Sequence, residues 1–88
     1  DAAPAAVLEL VREAMLDVVD RVGDDRHVRL GVRIELARDL TTLWYLRPDL
    51  MDMVATMQGE TAARESLRNL THLFGRYQLG GKVSAPHA

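Results

Sequence analysis

The sequence predicts an all-α domain: a small bundle of three to four helices, completed by homodimerisation. Three observations carry that prediction. Apolar residues recur at spacings of three and four, as in Leu8, Val11, Met15, Val18 and Val22, the period of a helix packed along one seam. The runs are separated by Gly23, Pro48 and Gly59, residue types that stop helices. Finally, Asp25 to Leu46 is apolar nearly all the way round, as in a helix with neighbours on several sides. A chain of 88 residues offers few such neighbours, and a domain of that size is marginal without a staple or a partner. The surplus points to a second copy of the chain.

The first helix opens at Pro4, whose missing N–H costs nothing in a first turn. Its inner face is the seam named above, with Val7, Leu10, Ala14 and Val19 widening it. Glu9, Glu13 and Asp17 follow one another at single-turn intervals on an acidic outer face, read as solvated. Gly23 ends the helix and Asp24 or Asp25 caps the next.

The second helix is expected over 25–46. Its first third, His27–Leu36, alternates apolar and polar residues, which is a strand pattern. No second strand exists to pair with it, and a lone strand leaves its backbone groups unsatisfied, so helix is the reading there, with an extended arm over 27–34 as the alternative. Gly31 weakens that helix and suggests a kink or a close crossing. Asp39, on a helix with few polar positions, reads as a partner for the neighbours of Arg38 or for a second chain, or as the solvent edge. Pro48 ends the helix, because the residue before a proline leaves helical geometry.

A short third helix, opened by Pro48 and Asp49, carries Leu50, Met51, Met53, Val54 and Met57 on its apolar side. Methionines at this spacing read as core. Thr61 caps a fourth helix in which Ala63, Leu67, Leu70, Phe74 and Tyr77 repeat at four, three, four and three, the cleanest amphipathic pattern in the chain. Gly80 and Gly81 end it. The expected organisation is one helical domain over 1–81 and a flexible tail over 82–88.

Composition narrows function by exclusion. Cysteine is absent, so neither a disulfide nor a thiolate metal site is available, and the chain suits the cytoplasm. His27, His72 and His87 lack the spacing of ligands on one turn, so neither a metal nor another cofactor is expected. Ser66 and Ser84 lack a glycine elbow, and no catalytic residue is assigned. No apolar run approaches the ~18–20 residues that span a bilayer. Asp1–Ala6 lacks the basic and long apolar regions of a signal peptide. Arginine far outnumbers lysine in an Ala-, Leu- and Val-rich chain, a composition like that of high-GC bacteria.

The leading functional expectation is a non-catalytic protein–protein interaction module, a dimerisation, adaptor or regulatory domain. Its interface is placed on Leu36, Leu40, Leu43, Trp44 and Tyr45. The first alternative is a small DNA-binding regulator with a helix-turn-helix-like segment over 50–74. There Ala55 stands four residues before Gly59, and Arg64, Arg68 and Arg76 suit nucleic-acid contacts. Glu65 departs from that template, where a buried aliphatic residue is usual, and a net charge of −2 opposes a broad nucleic-acid surface. The second alternative rests on His72, followed by Leu73, Phe74 and Gly75. This resembles the histidine phosphotransfer motif, an exposed helical histidine followed by a lysine and a glycine. Here the lysine is absent and the glycine is one residue too close. The resemblance covers about ten residues and implies a degenerate phosphotransfer-like domain.

Overall fold

The computed structural model describes residues 5–77. The described residues form four helices, α1 (Ala5–Val22), α2 (Val28–Leu36), α3 (Leu40–Gln58) and α4 (Glu60–Tyr77), with a 3-10 turn at Asp25–His27 before α2. No strand occurs among the described residues. Pro4, the expected helix end at Gly80–Gly81 and the expected tail at 82–88 lie outside the described residues.

The helices form a compact four-helix bundle with extents of 35 × 27 × 15 Å. The shortest extent is that of two helix layers, about 8–10 Å between axes plus one backbone cylinder. Among the described residues the core contains only apolar side chains. Val11, Met15, Val18 and Val22 enter it from α1, and Ala63, Leu67, Leu70 and Phe74 from α4. Both seams follow the periodicity of the sequence. Leu30 and Ile34 are the contribution of α2, and Leu40, Leu43, Leu46, Leu50, Met53 and Val54 that of α3.

The division into three long helices and one short one holds, but the short helix is the second and not the third. The expected helix over 25–46 is interrupted at Ala37–Asp39, and two capping devices account for the interruption. Asp39 adopts extended geometry and caps α3: its carboxylate accepts the Thr42 N–H at 2.8 Å and the Thr42 hydroxyl at 2.7 Å. On the other side Arg12 of α1 closes the end of α2. One of its terminal nitrogens donates to the carbonyls of Ile34, Glu35 and Ala37 at 2.8, 2.8 and 2.9 Å. Its Nε and other terminal nitrogen grip Glu9 at 3.0 and 3.1 Å. The last carbonyls of a helix have no intrahelical partner, and a guanidinium supplies several donors at once.

Pro48 does not end a helix; it lies inside α3. The ring removes one backbone donor, and the carbonyl left over is the one four residues earlier. Pro48 itself is exposed, so its ring occupies the outer side of α3 and displaces no core residue. The core residues Leu46, Leu50, Met53 and Val54 run past the proline without a break. Burial along that inner face outweighs the ~3 kcal/mol that an interior proline costs.

Two glycines are required by the backbone. At Gly23 an added Cβ would lie 2.8 Å from the Val19 carbonyl oxygen and 3.0 Å from Met53 Sδ. Gly59 joins α3 to α4 at φ 97°, ψ 167°, a region open essentially to glycine alone. Asp24 then caps the 3-10 turn. Its carboxylate accepts the Arg26 N–H at 2.9 Å, while its own N–H donates to His27 Nδ1 at 3.1 Å.

Candidate functional site

Two surface regions remain incompletely satisfied by the fold. The first is the outer face of α2. Val28, Val32 and Leu36 stand at successive turns and are 62%, 48% and 72% exposed. They border a groove of about 540 Å³ between α1 and α2, together with the half-buried Leu16 and Val19. The period-two pattern that suggested a strand has its explanation here: in HVRLGVRIEL, Leu30 and Ile34 face inward while Val28, Val32 and Leu36 face outward. A nine-residue helix cannot bury both sets against a bundle of this size.

The two edges of this stripe differ in charge. On the α1 side the groove is rimmed by Asp20, Asp25 and Glu35, which make no ion pair among the described residues. On the α3 side Arg33 reaches Asp49 of α3 at 3.3 Å, and Arg29 precedes it by one turn.

The five side chains expected at an interface separate into two groups. Leu40 and Leu43 lie in the core of the chain itself. Trp44 is half-buried and meets Phe74 edge-on, with ring centroids 5.1 Å apart and planes at 78°, a favoured aromatic geometry. Leu36 and Tyr45 are each 72% exposed. Tyr45 stands one turn before Asp49 on α3, so it shares the edge of α3 that Arg33 reaches.

The second region is a cleft of about 440 Å³ between α3 and α4, lined by Arg47, Met51, Arg64, Leu67, Arg68, Thr71 and His72. Arg47 sits 4.0 Å from the centre of the Trp44 ring. Its Nε is buried and has no hydrogen-bond partner. Burial lowers the pKa of this guanidinium from its ordinary value, since the charged form loses solvation. Arg64 approaches Glu60 at 3.6 Å, and Arg68 makes no ion pair among the described residues.

Of the three arginines expected at a nucleic-acid surface, Arg64 and Arg68 therefore share a cleft, while Arg76 is exposed in the last turn of α4. The segment expected to resemble helix-turn-helix differs from that motif at its joint. The junction is Gly59 alone, between helices of 19 and 18 residues, where the motif uses a turn of about three to four residues. Glu65 is exposed and Ala55 half-buried. His72 is exposed on α4 beside Arg68, as expected of a solvent-facing histidine. Sequence reasoning missed Arg47, because its stacking on Trp44 and its place opposite α4 depend on α3 continuing past Pro48.

Among the described residues, no group of three His, Cys, Asp or Glu side chains is placed to hold a metal ion, and no helix is long and apolar enough to cross a membrane. No protein-family model, no curated protein and no solved structure matches this chain.

Proposed function

We propose that this domain is a non-catalytic protein–protein interaction module that self-associates through the outer face of α2. One observation carries the reading: Val28, Val32 and Leu36 form an unpartnered apolar stripe beside a groove floored by Leu16 and Val19. Contiguous apolar surface of this kind marks interaction sites in small folded domains. The stripe includes Leu36 of the sequence-derived set and replaces Leu40 and Leu43, which the core already holds.

A second copy fits the charges of the stripe. One edge carries Glu35, with Asp20 and Asp25 beyond it, and the other carries Arg29 and Arg33. A two-fold axis running along α2 sets the acidic edge of one protomer against the arginine edge of its partner. An axis crossing α2 sets acid against acid. An isologous interface through parallel α2 helices is therefore self-complementary.

Light scattering at micromolar concentration reads the proposal directly. The parent chain is expected at twice its monomer mass, and Val32→Asp at monomer mass with unchanged helical circular dichroism. Glu35→Arg and Arg29→Glu should each weaken the dimer, and the double variant should recover it. A parent chain of monomer mass throughout this range overturns self-association. Failure of the double variant to recover overturns the parallel arrangement.

A further inference from the structure

We propose that the cleft between α3 and α4 binds a phosphate monoester. Arg47, Arg64 and Arg68 hold its phosphoryl oxygens, Thr71 and His72 supply further hydrogen bonds, and Met51 and Leu67 receive the apolar part of the ester. The surface is distinct from the α2 stripe and does not depend on self-association.

The argument starts from charge. Elsewhere in the bundle, Arg12, Arg21, Arg26 and Arg33 each hold a carboxylate at 2.8–3.3 Å, while Arg29 on α2 and Arg38 in the break before α3 hold none among the described residues. The cleft differs in gathering such arginines in one place. Among the described residues Arg47 and Arg68 hold no carboxylate and Arg64 has only Glu60 at 3.6 Å, and all three line it. Arg64, Arg68 and His72 follow at one-turn intervals on α4, so their side chains lie one above another on one edge. Arg64 and Arg68 are like charges so placed that they repel, and an anion between them removes the repulsion while gaining charge-assisted hydrogen bonds. A guanidinium presents its donors in a planar fork that matches phosphate oxygens.

Arg47 makes the arrangement a site as well as a charged edge. Stacking on Trp44 fixes its guanidinium before any ligand arrives, which lowers the entropy lost on binding. Its Nε is buried and has no hydrogen-bond partner, so the donors left for a ligand are its terminal nitrogens. The lining is also mixed. Met51 and Leu67 offer apolar surface beside the cations, which suits an organic ester better than bare inorganic phosphate. A nucleic-acid backbone is a poorer match: its phosphates need cations spread along a groove, and this chain carries a net charge of −2.

The sole tryptophan, Trp44, lies against Arg47, so its fluorescence reports on the cleft without a label. The full chain is titrated with phenyl phosphate, inorganic phosphate and a short DNA duplex at constant ionic strength, and calorimetry is run in parallel in case the fluorescence is silent. Saturable binding of phenyl phosphate, tighter than inorganic phosphate, is expected. Arg68→Gln and Arg64→Gln should each weaken it roughly tenfold, while Arg21→Gln, on the open surface of α1, leaves it unchanged. Circular dichroism confirms that the exposed-site variants fold. The proposal is overturned by absence of saturable heat and fluorescence change, by equal response to chloride, or by phenyl phosphate binding that Arg64→Gln and Arg68→Gln leave intact. Duplex binding tighter than phenyl phosphate, with a steep salt dependence, would also overturn it and assign the cleft to nucleic acid.

Discussion

The segments Glu60–Tyr77 and Asp25–Leu46 are both rich in apolar residues, yet the first is one helix and the second is not. In α4 the apolar positions fall on one face, and the buried set Ala63, Leu67, Leu70 and Phe74 is the set that periodicity selects. In Asp25–Leu46 the apolar positions fall all round, and the chain divides them between two helices of different direction. Leu30 and Ile34 reach the core from α2, Leu40 and Leu43 from α3, and Val28, Val32 and Leu36 are left outside. Hydrophobic periodicity thus locates a buried face where there is one face to find. Where there are several, polar residues at the breaks decide how the chain is cut.

The sharpest test compares two leucines of that divided segment. Leu43 is fully buried and Leu36 is 72% exposed. Leu43→Ala should lower the free energy of unfolding by about 2–5 kcal/mol, the range for emptying a buried leucine site. Leu36→Ala should change it by less than ~0.5 kcal/mol in the isolated protomer. Urea unfolding at several protein concentrations measures both. Equal losses at all concentrations would place Leu36 in the core and break the comparison. A loss at Leu36 that grows with concentration would sharpen it, by placing that side chain between copies.

The next effect in size belongs to the break itself. Arg12 serves three carbonyls at the end of α2 and is mostly shielded from solvent, its side chain 13% exposed. Arg12→Met should cost about 1.5–3 kcal/mol, the scale for hydrogen bonds from a charged donor. Arg21, which pairs with Asp17 on the open surface of α1, provides the contrast. Arg21→Met should cost less than ~1 kcal/mol, as exposed ion pairs do. If the two variants melt together, the closure of α2 by Arg12 does not contribute to stability.

Smaller effects of opposite sign are expected at two glycines. Gly59→Ala forces a side chain into φ 97° and should cost about 1–3 kcal/mol, although nothing crowds the added methyl. At Gly31 a Cβ would meet Val19 at 3.7 Å, an ordinary contact. Gly31→Ala should therefore stabilise by up to ~1 kcal/mol through helix propensity. Thermal melts decide both. A loss at Gly31 would restore the close crossing suggested by the sequence, which this packing does not contain.

The elements legible in the sequence were those set by one kind of signal. The seam of α1, its stop at Gly23, the break at Gly59 and the face of α4 each follow from spacing or a glycine. The parts that were not legible depend on distant partners. Asp39 looked like a polar residue within a helix because its role as a cap needs Thr42 and the closure of α2 by Arg12, which comes from another helix. Pro48 looked like a stop because local sterics say so, and only burial of Leu46, Leu50 and Met53 against the bundle overrides them. Of the cleft, Arg64 and Arg68 were legible as exposed arginines on α4. Arg47 was not, since its stacking on Trp44 and its place opposite α4 exist only once α3 runs through the proline.

The smallest expected effect separates the two acidic caps that bracket α2. Side-chain and backbone hydrogen bonds from Thr42 hold the Asp39 carboxyl below its ordinary 3.8. The Arg26 side chain, and then the Arg26 N–H, hold Asp24 down at about 2. Both folded values are depressed, so each cap contributes stability that is fully present above the unfolded value near 3.8. That contribution is lost as pH falls, for Asp24 between 3.8 and about 2. The causes differ in a way that salt can resolve. Asp24 owes its shift largely to a cation on the surface, and added salt screens such a pair. Asp39 owes its shift to neutral donors, which salt leaves in place. Asp39→Asn keeps a good cap that no longer titrates, so its melting temperature should fall less steeply on acidification than that of the parent, in low and high salt alike. Asp24→Asn should flatten the acid slope more in low salt than in high salt, where the bond from the Arg26 N–H remains. An Asp39→Asn slope equal to that of the parent at both salt concentrations would mean that the Thr42 bonds do not persist in solution. The break between α2 and α3 would then rest on Arg12 alone.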